Sequence, residues 1–407
     1  MKRLVIIMSI ILTIILNTSC SKSDSKPSIA TKTIVTSISP NSGNSGMSVT
    51  ITGSNFSNTN NVVTFQNGIA AIVTLATPTS LTVTVPSGGS TGPITVNGVE
   101  GPIFTYTTGS DPNVYIAGGG NTGSLTDKAT YWNAGVANIL PDGTQAYGIF
   151  VFGSDIYVAG TKGDNGALNA RYWKNGTAIP LDLTSKSNRS EAKAITLSGN
   201  DVYVAGYEDV IAKYWKNGVA TSLTTTSGNT AYATSICVSG NDIYVGGYEY
   251  SGGTTAVYWK NATEVNFTNG KNVSQTNSIL YYSNDIYAAG FEYSNDGAHR
   301  IAKYWKNGNA IALSDSTHDA EILSFVISGL DVYAAGYDNG VAQYWKNGKA
   351  VKLTTTTGSY ATAIAVSVSD VYVAGHDSSG PKYWKNGSVV NLPNISGSNL
   401  ATAIFLK

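Results

Sequence analysis

Charge and sulfur are both scarce in this chain. Only 12% of its 407 residues are charged, and 25 basic side chains balance 25 acidic ones. A nucleic-acid binder needs a basic stripe or patch, so no nucleic acid is expected as a partner. There are two cysteines, Cys20 and Cys237. The three histidines, His299, His318 and His376, are scattered, with neither metal-ligand spacing nor a nucleophile motif beside them. "SNDG" at Ser294–Gly297 lacks the carboxylate ladder of a calcium loop. "GGGNTG" at Gly118–Gly123 has no helix pattern behind it and so makes no phosphate cradle. No metal and no cofactor are expected. Helix formers are thin, methionine among them with three residues. With 44 glycines, 25 tyrosines and many Thr, Ser, Val and Ile residues, the composition is that of strands and turns. An all-β protein is expected, in more than one domain at this length.

One apolar run stands out. Leu4–Leu16 follows Met1-Lys2-Arg3 and ends in "LNTSC", too short for a comfortable membrane span. Residues 1–20 read as a signal peptide. The segment resembles the lipoprotein type, although Asn17 stands where Leu is usual. That resemblance implies a lipidated Cys20, a flexible tether over 21–33 and attachment to a membrane. Ser21 after the cysteine implies an outer-membrane or cell-surface location, with secretion as the alternative. Cys237 is then alone, and a lone thiol in an apolar strand is expected to pack rather than react.

Residues 34–107 read as short strands. "SISPNSGNSGMSVTITGSNF" carries Pro40 and Gly43 before a strand, then Gly53, Asn55 and Phe56 at a turn. With "VVTFQNG", "SLTVTVPSG" and "GPITV", it resembles the IPT/TIG domain. The resemblance implies an immunoglobulin-like sandwich acting as a spacer or interaction module.

Residues 111–407 repeat two phrases, "DVYVAG" and "YWKNG". The first places Tyr115, Tyr157, Tyr203, Tyr244, Tyr287, Tyr333 and Tyr372. The second places Trp132, Trp173, Trp215, Trp259, Trp305, Trp345 and Trp384, every tryptophan of the chain. The spacing suits four-stranded propeller blades. Lys-Asn-Gly follows the tryptophan in five copies, and Asn-Gly is the favoured two-residue hairpin turn. The first copy, from Asn113, lacks its first strand, while the chain ends on "ATAIFLK", a first strand without followers. A seven-bladed β-propeller closed by the C-terminal strand is expected. The repeats are also loosely similar to kelch propellers. The repeated aromatics read as core, and the aspartate that opens the second strand in six copies reads as the stabiliser of its own turn.

Function should sit where the copies differ, on the face carrying the long loops between second and third strands and between blades. Two sets lie there. Aromatic–carboxylate pairs follow the second strand, Tyr207-Glu208 and Tyr248-Glu249 among them, and such a pair can stack on a sugar and bond its hydroxyls. A varied, mostly polar ring marks the start of each first strand: Gln145, Glu191, Tyr232, Gln275, Glu321, Tyr360 and, by register, Leu400. Glu191 and Glu321 come from blades three apart.

A lipid-tethered propeller over an IPT-like spacer resembles surface lipoproteins of the Bacteroidetes type. The resulting expectation is a non-catalytic cell-surface protein whose partner is a polysaccharide or another surface protein. The alternative is an extracellular polysaccharide hydrolase or lyase working through Glu191 and Glu321.

Overall fold

The structure is a computed structural model. It describes residues 32–43, 47–86, 89–106, 113–120, 127–164, 167–183, 189–223, 230–268, 270–368, 370–395 and 399–407. The signal peptide, Cys20 and tether residues 21–31 lie outside these. The described residues form strands and one short 3-10 turn. The chain divides into two compact units, Met1–Thr107 and Thr108–Lys407.

In the first unit, Ile34–Ser39, Ser48–Ser54 and Ser80–Thr84 lie side by side, with Ile69–Thr77 next. That last strand also pairs with Val63–Phe65, which leads through Gly92–Val96 to Val99–Tyr106. Alternation sends Val49, Ile51, Leu81 and Val83 to one side, where they meet Ile94, Val96 and Phe104 in a shared core. The Phe65 and Phe104 rings meet edge to face there, 5.2 Å apart. This is an immunoglobulin-like domain.

The second unit contains seven four-stranded sheets and is a seven-bladed β-propeller. In six blades the four strands are consecutive in the chain. In blade one, Val114–Gly119, Thr130–Asn133 and Val136–Ile139 are completed by Leu400–Leu406. Ile404 lies opposite Ile116 and Phe405 opposite Tyr115. Lys407 and Asn113 then exchange backbone hydrogen bonds of 2.9 and 3.2 Å. The first strands of successive blades pack on one another, Leu400–Leu406 against Gly143–Phe152 included, so the ring closes around them. Closure covers the edge of Val114–Gly119, which would otherwise be open.

All seven tryptophans are buried. Trp215 Nε1 donates to the Asp182 carbonyl at 2.8 Å, and Trp173 Nε1 to that of Pro141 at 3.2 Å, each at the end of the preceding blade. The "YW" phrase thus welds a blade to its neighbour through both apolar area and a satisfied indole N–H.

The repeated aspartate acts on a different turn from the one expected. Asp201 Oδ1 accepts a 2.7 Å bond from Asn217 Nδ2, and its Oδ2 pairs with Lys216 at 2.8 Å. Asn217 Oδ1 in turn accepts from the Val202 N–H at 2.9 Å. Asp155, Asp242, Asp285, Asp331 and Asp370 repeat the arrangement. The correction has a geometric cause: the second and third strands are hydrogen-bonded neighbours, which sets the aspartate beside the Lys-Asn hairpin. Asn217 and Gly218 stand at φ 50° and 87°, the positive-φ pair that a tight hairpin turn requires. "KNG" therefore supplies side-chain bonds as well as a turn.

Candidate functional site

One irregularity, the same in every blade, builds the mouth of the propeller. In each first strand one residue at an equivalent place is skipped in the pairing with the second strand: Tyr147, Lys193, Thr234, Asn277, Leu323, Thr362 or Thr402; blade two also skips Thr144. Such a bulge bends its strand and re-aims its side chain. It also brings the ring residue two positions earlier hard against the second strand. A Cβ at Gly206 would collide with the Glu191 carbonyl oxygen, and one at Gly336 with that of Glu321. The glycine of "VYVAG" is there for that close approach.

In four blades the bulge residue is a staple to the next blade. Thr234 Oγ1 donates to the Thr276 carbonyl, Thr362 Oγ1 to Ala401 and Thr402 Oγ1 to Ala146, each at 2.7 Å. Asn277 Nδ2 donates to Ile322 at 2.8 Å. Blades two and three do otherwise. Tyr147 donates its hydroxyl to Gln145 Oε1, and Lys193 donates to Glu191 Oε2 at 3.0 Å. Sequence reasoning did not select the bulge positions. Their one signal is a varied residue just before the small residue of each first strand.

Tyr147 and Lys193 line a cavity of about 510 Å³, together with Glu191, Tyr207, Tyr232 and Tyr248. Gln145 and Arg189 also border it. Glu191, 3% exposed, is its anchor. Arg189 reaches Glu191 Oε1 with Nη2 at 2.9 Å and Nε at 3.2 Å, opposite the Lys193 bond. Burial alone would raise the Glu191 pKa. The Lys193 charge and the hydrogen bonds from Tyr207, Lys193 and Arg189 outweigh it and bring the carboxyl down to about 2. The Tyr207 hydroxyl is pushed well above its ordinary value by burial and by the adjacent Glu191 charge, and stays protonated. Beyond it the rings form a ladder. Tyr207 meets Tyr232 edge to face at 4.8 Å, and Tyr232 meets Tyr248 at 5.3 Å with planes 35° apart.

The sequence candidates divide among several places. Glu191, Tyr207, Tyr232 and Tyr248 come together in this cavity. Gln275, Glu321 and Tyr360 belong to blades five to seven. Glu321 accepts from Tyr337 Oη and Arg300 Nη1 at 2.9 Å each and from Asn277 Nδ2 at 2.8 Å. Glu208 and Glu249 are buried and do not line the cavity. Glu208 is paired with Lys213 on the third strand, as Glu292 is with Lys303 and Asp377 with Lys382. A ring and its adjacent carboxylate acting together on one ligand, as read from the sequence, do not occur at Tyr207-Glu208. Consecutive strand residues point to opposite faces, so the ring turns to the cavity and the carboxylate into the blade. Among the described residues no group of three or more His, Cys, Asp or Glu could hold a metal ion. Cys237 is a free thiol in a first strand, its pKa pushed up to about 12 by burial.

Residues 33–117 match the IPT/TIG domain. The match spans the described part of the first unit and runs into Val114–Gly119 of the propeller. No curated protein matches the chain in sequence. Among solved structures, the chain is similar to a protein of unknown function from Bacteroides thetaiotaomicron. The two share 12% identity over 84% of this chain and 94% of that one, with a TM-score of 0.42. An auxiliary nutrient binding protein from Bacteroides ovatus shares 14% identity over 84% and 96%, with a TM-score of 0.36. The β-propeller domain of the Trilobed protease from Pyrococcus furiosus shares 11% over 70% and 97%, with a TM-score of 0.42.

Proposed function

We propose that the propeller is a non-catalytic binding module that receives a sugar ring of a polysaccharide in the cavity of blades two to four. In this reading Cys20 carries the lipid that holds the protein at the outer membrane or cell surface, and the IPT/TIG unit serves as spacer. The observation that carries the reading is the ladder Tyr207–Tyr232–Tyr248 beside the ion-paired Glu191. A pyranose presents an apolar face bordered by hydroxyls. Tyrosine rings supply stacking area with little rotamer freedom to lose, and their hydroxyls bond the sugar's rim. Polar groups already held in place by one another cost little to order when the ligand arrives.

The hydrolase alternative needs a carboxyl that carries a proton near neutral pH, and the lyase alternative needs a base free to take a proton from the sugar ring. Glu191, with a pKa of about 2, is an anion there, and Glu321 is ion-paired with Arg300. These carboxylates are arranged to hold side chains in place.

Affinity electrophoresis of the chain lacking residues 1–20, through gels containing xylan, mannan, pullulan or pectin, tests the reading, with reducing ends assayed on the same samples. Retardation without new reducing ends is expected. New reducing ends that vanish in Glu191→Gln would overturn the non-catalytic assignment. No retardation on any polymer would overturn the polysaccharide assignment and leave a surface protein as the partner.

A further inference from the structure

The side chains that line the cavity have counterparts three blades further on. Blade by blade, Gln145 corresponds to Gln275, Glu191 to Glu321, Tyr207 to Tyr337, Tyr232 to Tyr360 and Tyr248 to His376. The correspondence extends to geometry. Tyr337 meets Tyr360 edge to face at 5.1 Å and 78°, matching Tyr207 on Tyr232 at 4.8 Å and 87°. Tyr360 lies on His376 at 5.4 Å and 28°, matching Tyr232 on Tyr248 at 5.3 Å and 35°. Burial matches as well: Tyr207 and Tyr337 are both 7% exposed, while the two rungs beyond each are half-buried. Arginine holds both glutamates, Arg189 for Glu191 and Arg300 for Glu321.

We infer that Tyr337, Tyr360 and His376, anchored by Glu321, form a second subsite for the same polysaccharide on the opposite side of the mouth. Seven copies of one blade do not by themselves create such a pair. The ring position holds Leu400 in blade one, which no blade in the other two triplets carries, and blades two to four and five to seven supply the same residue types in the same order. The subsites differ at the bulges. Tyr147 and Lys193 face the first, whereas their register equivalents are Asn277, which bonds Glu321 and Ile322, and half-buried Leu323. The second subsite therefore offers a stacking ladder without an ammonium group, and it takes an uncharged ring. Two subsites on one mouth favour a polymer over its repeating unit, because the second contact forms at the effective concentration set by the first.

The inference rests on the polysaccharide reading, and the experiment separates the two. Tyr232→Ala, Tyr360→Ala and the double variant are run through the same polymer gels, with thermal unfolding compared to exclude misfolding. His376→Ala stands in if Tyr360→Ala does not fold. Each single variant is expected to weaken binding about tenfold or more on the polymer that retards the wild type, because either change leaves one contact. The double variant is expected to run free. If Tyr360→Ala or His376→Ala binds every such polymer as the wild type does while Tyr232→Ala is weakened, the second subsite is refuted and the first stands. A wild type retarded by no polymer refutes both.

Discussion

Lys193 Nζ lies 3.6 Å from the centre of the Tyr147 ring while it donates to Glu191 Oε2 at 3.0 Å. The two side chains come from equivalent bulges on adjacent blades. In four other blades the residue at that bulge fastens one blade to the next, and here the pair holds an ammonium between a ring and a carboxylate. The cavity lies where the bulges of two adjacent blades carry Tyr147 and Lys193 in place of a staple.

Replacing Lys193 with Met keeps the stem and removes the charge. Lys193→Met should weaken polymer retardation, because Tyr147 and Glu191 lose the group that orients them. Unchanged retardation on every polymer would mean that the ammonium has no part in recognition.

The staples can be tested where no ligand is involved. Thr402 Oγ1 lies 2.7 Å from the Ala146 carbonyl and 3.0 Å from that of Ala117, at the seam where the ring closes. Thr402→Val should cost about 1 kcal/mol, or roughly 2–4 °C in Tm, and Thr402→Ser should restore most of it. Equal Tm values for the two variants would refute the staple.

Gly206 has the Glu191 carbonyl where a side chain would begin. Gly206→Ala should destabilise the propeller by about 1–3 kcal/mol, as overpacking of a tight strand contact does. It should also weaken binding, since the bulge that presents Glu191 must shift. Chemical denaturation and the polymer gels read the two effects separately, and wild-type values in both would remove the reason given for the repeated glycine.

Deleting Ala401–Lys407 removes the strand paired with Val114–Gly119 and opens the ring. Loss of cooperative unfolding, or aggregation through the exposed edge, is expected by calorimetry and light scattering. A soluble truncation with the original Tm would show that closure contributes nothing.

The Glu191 pKa is depressed in the folded state, to about 2 from an ordinary 4.5. The folded protein then binds this proton less readily than the unfolded chain. The ion-pair contribution is fully present above about pH 4.5 and disappears as pH falls toward about 2. Wild-type Tm should drop across that window more steeply than that of Glu191→Gln, and parallel curves would place the titration elsewhere.

The repeat, the number of blades and their closure were legible because they are periodic. Seven "YW" phrases and complementary ends, from Asn113 to the strand before Lys407, count blades without reference to space. The candidate site was legible only in part. Glu191, Tyr207, Tyr232 and Tyr248 could be selected as varied or aromatic positions on one face. Glu208 looked like their equal until the structure placed Lys213 against it, a residue across a hairpin whose role no linear pattern announces. Tyr147 and Lys193 went unselected because a bulge is a property of two strands in register, and one strand read alone has no register. Sequence by itself determined the architecture, through alternation, turn chemistry and repetition, all of them short-range rules. Tertiary structure decided which side chains share a cavity and which are consumed in ion pairs, because those outcomes depend on which strands lie side by side within a blade and which blades meet in the closed ring.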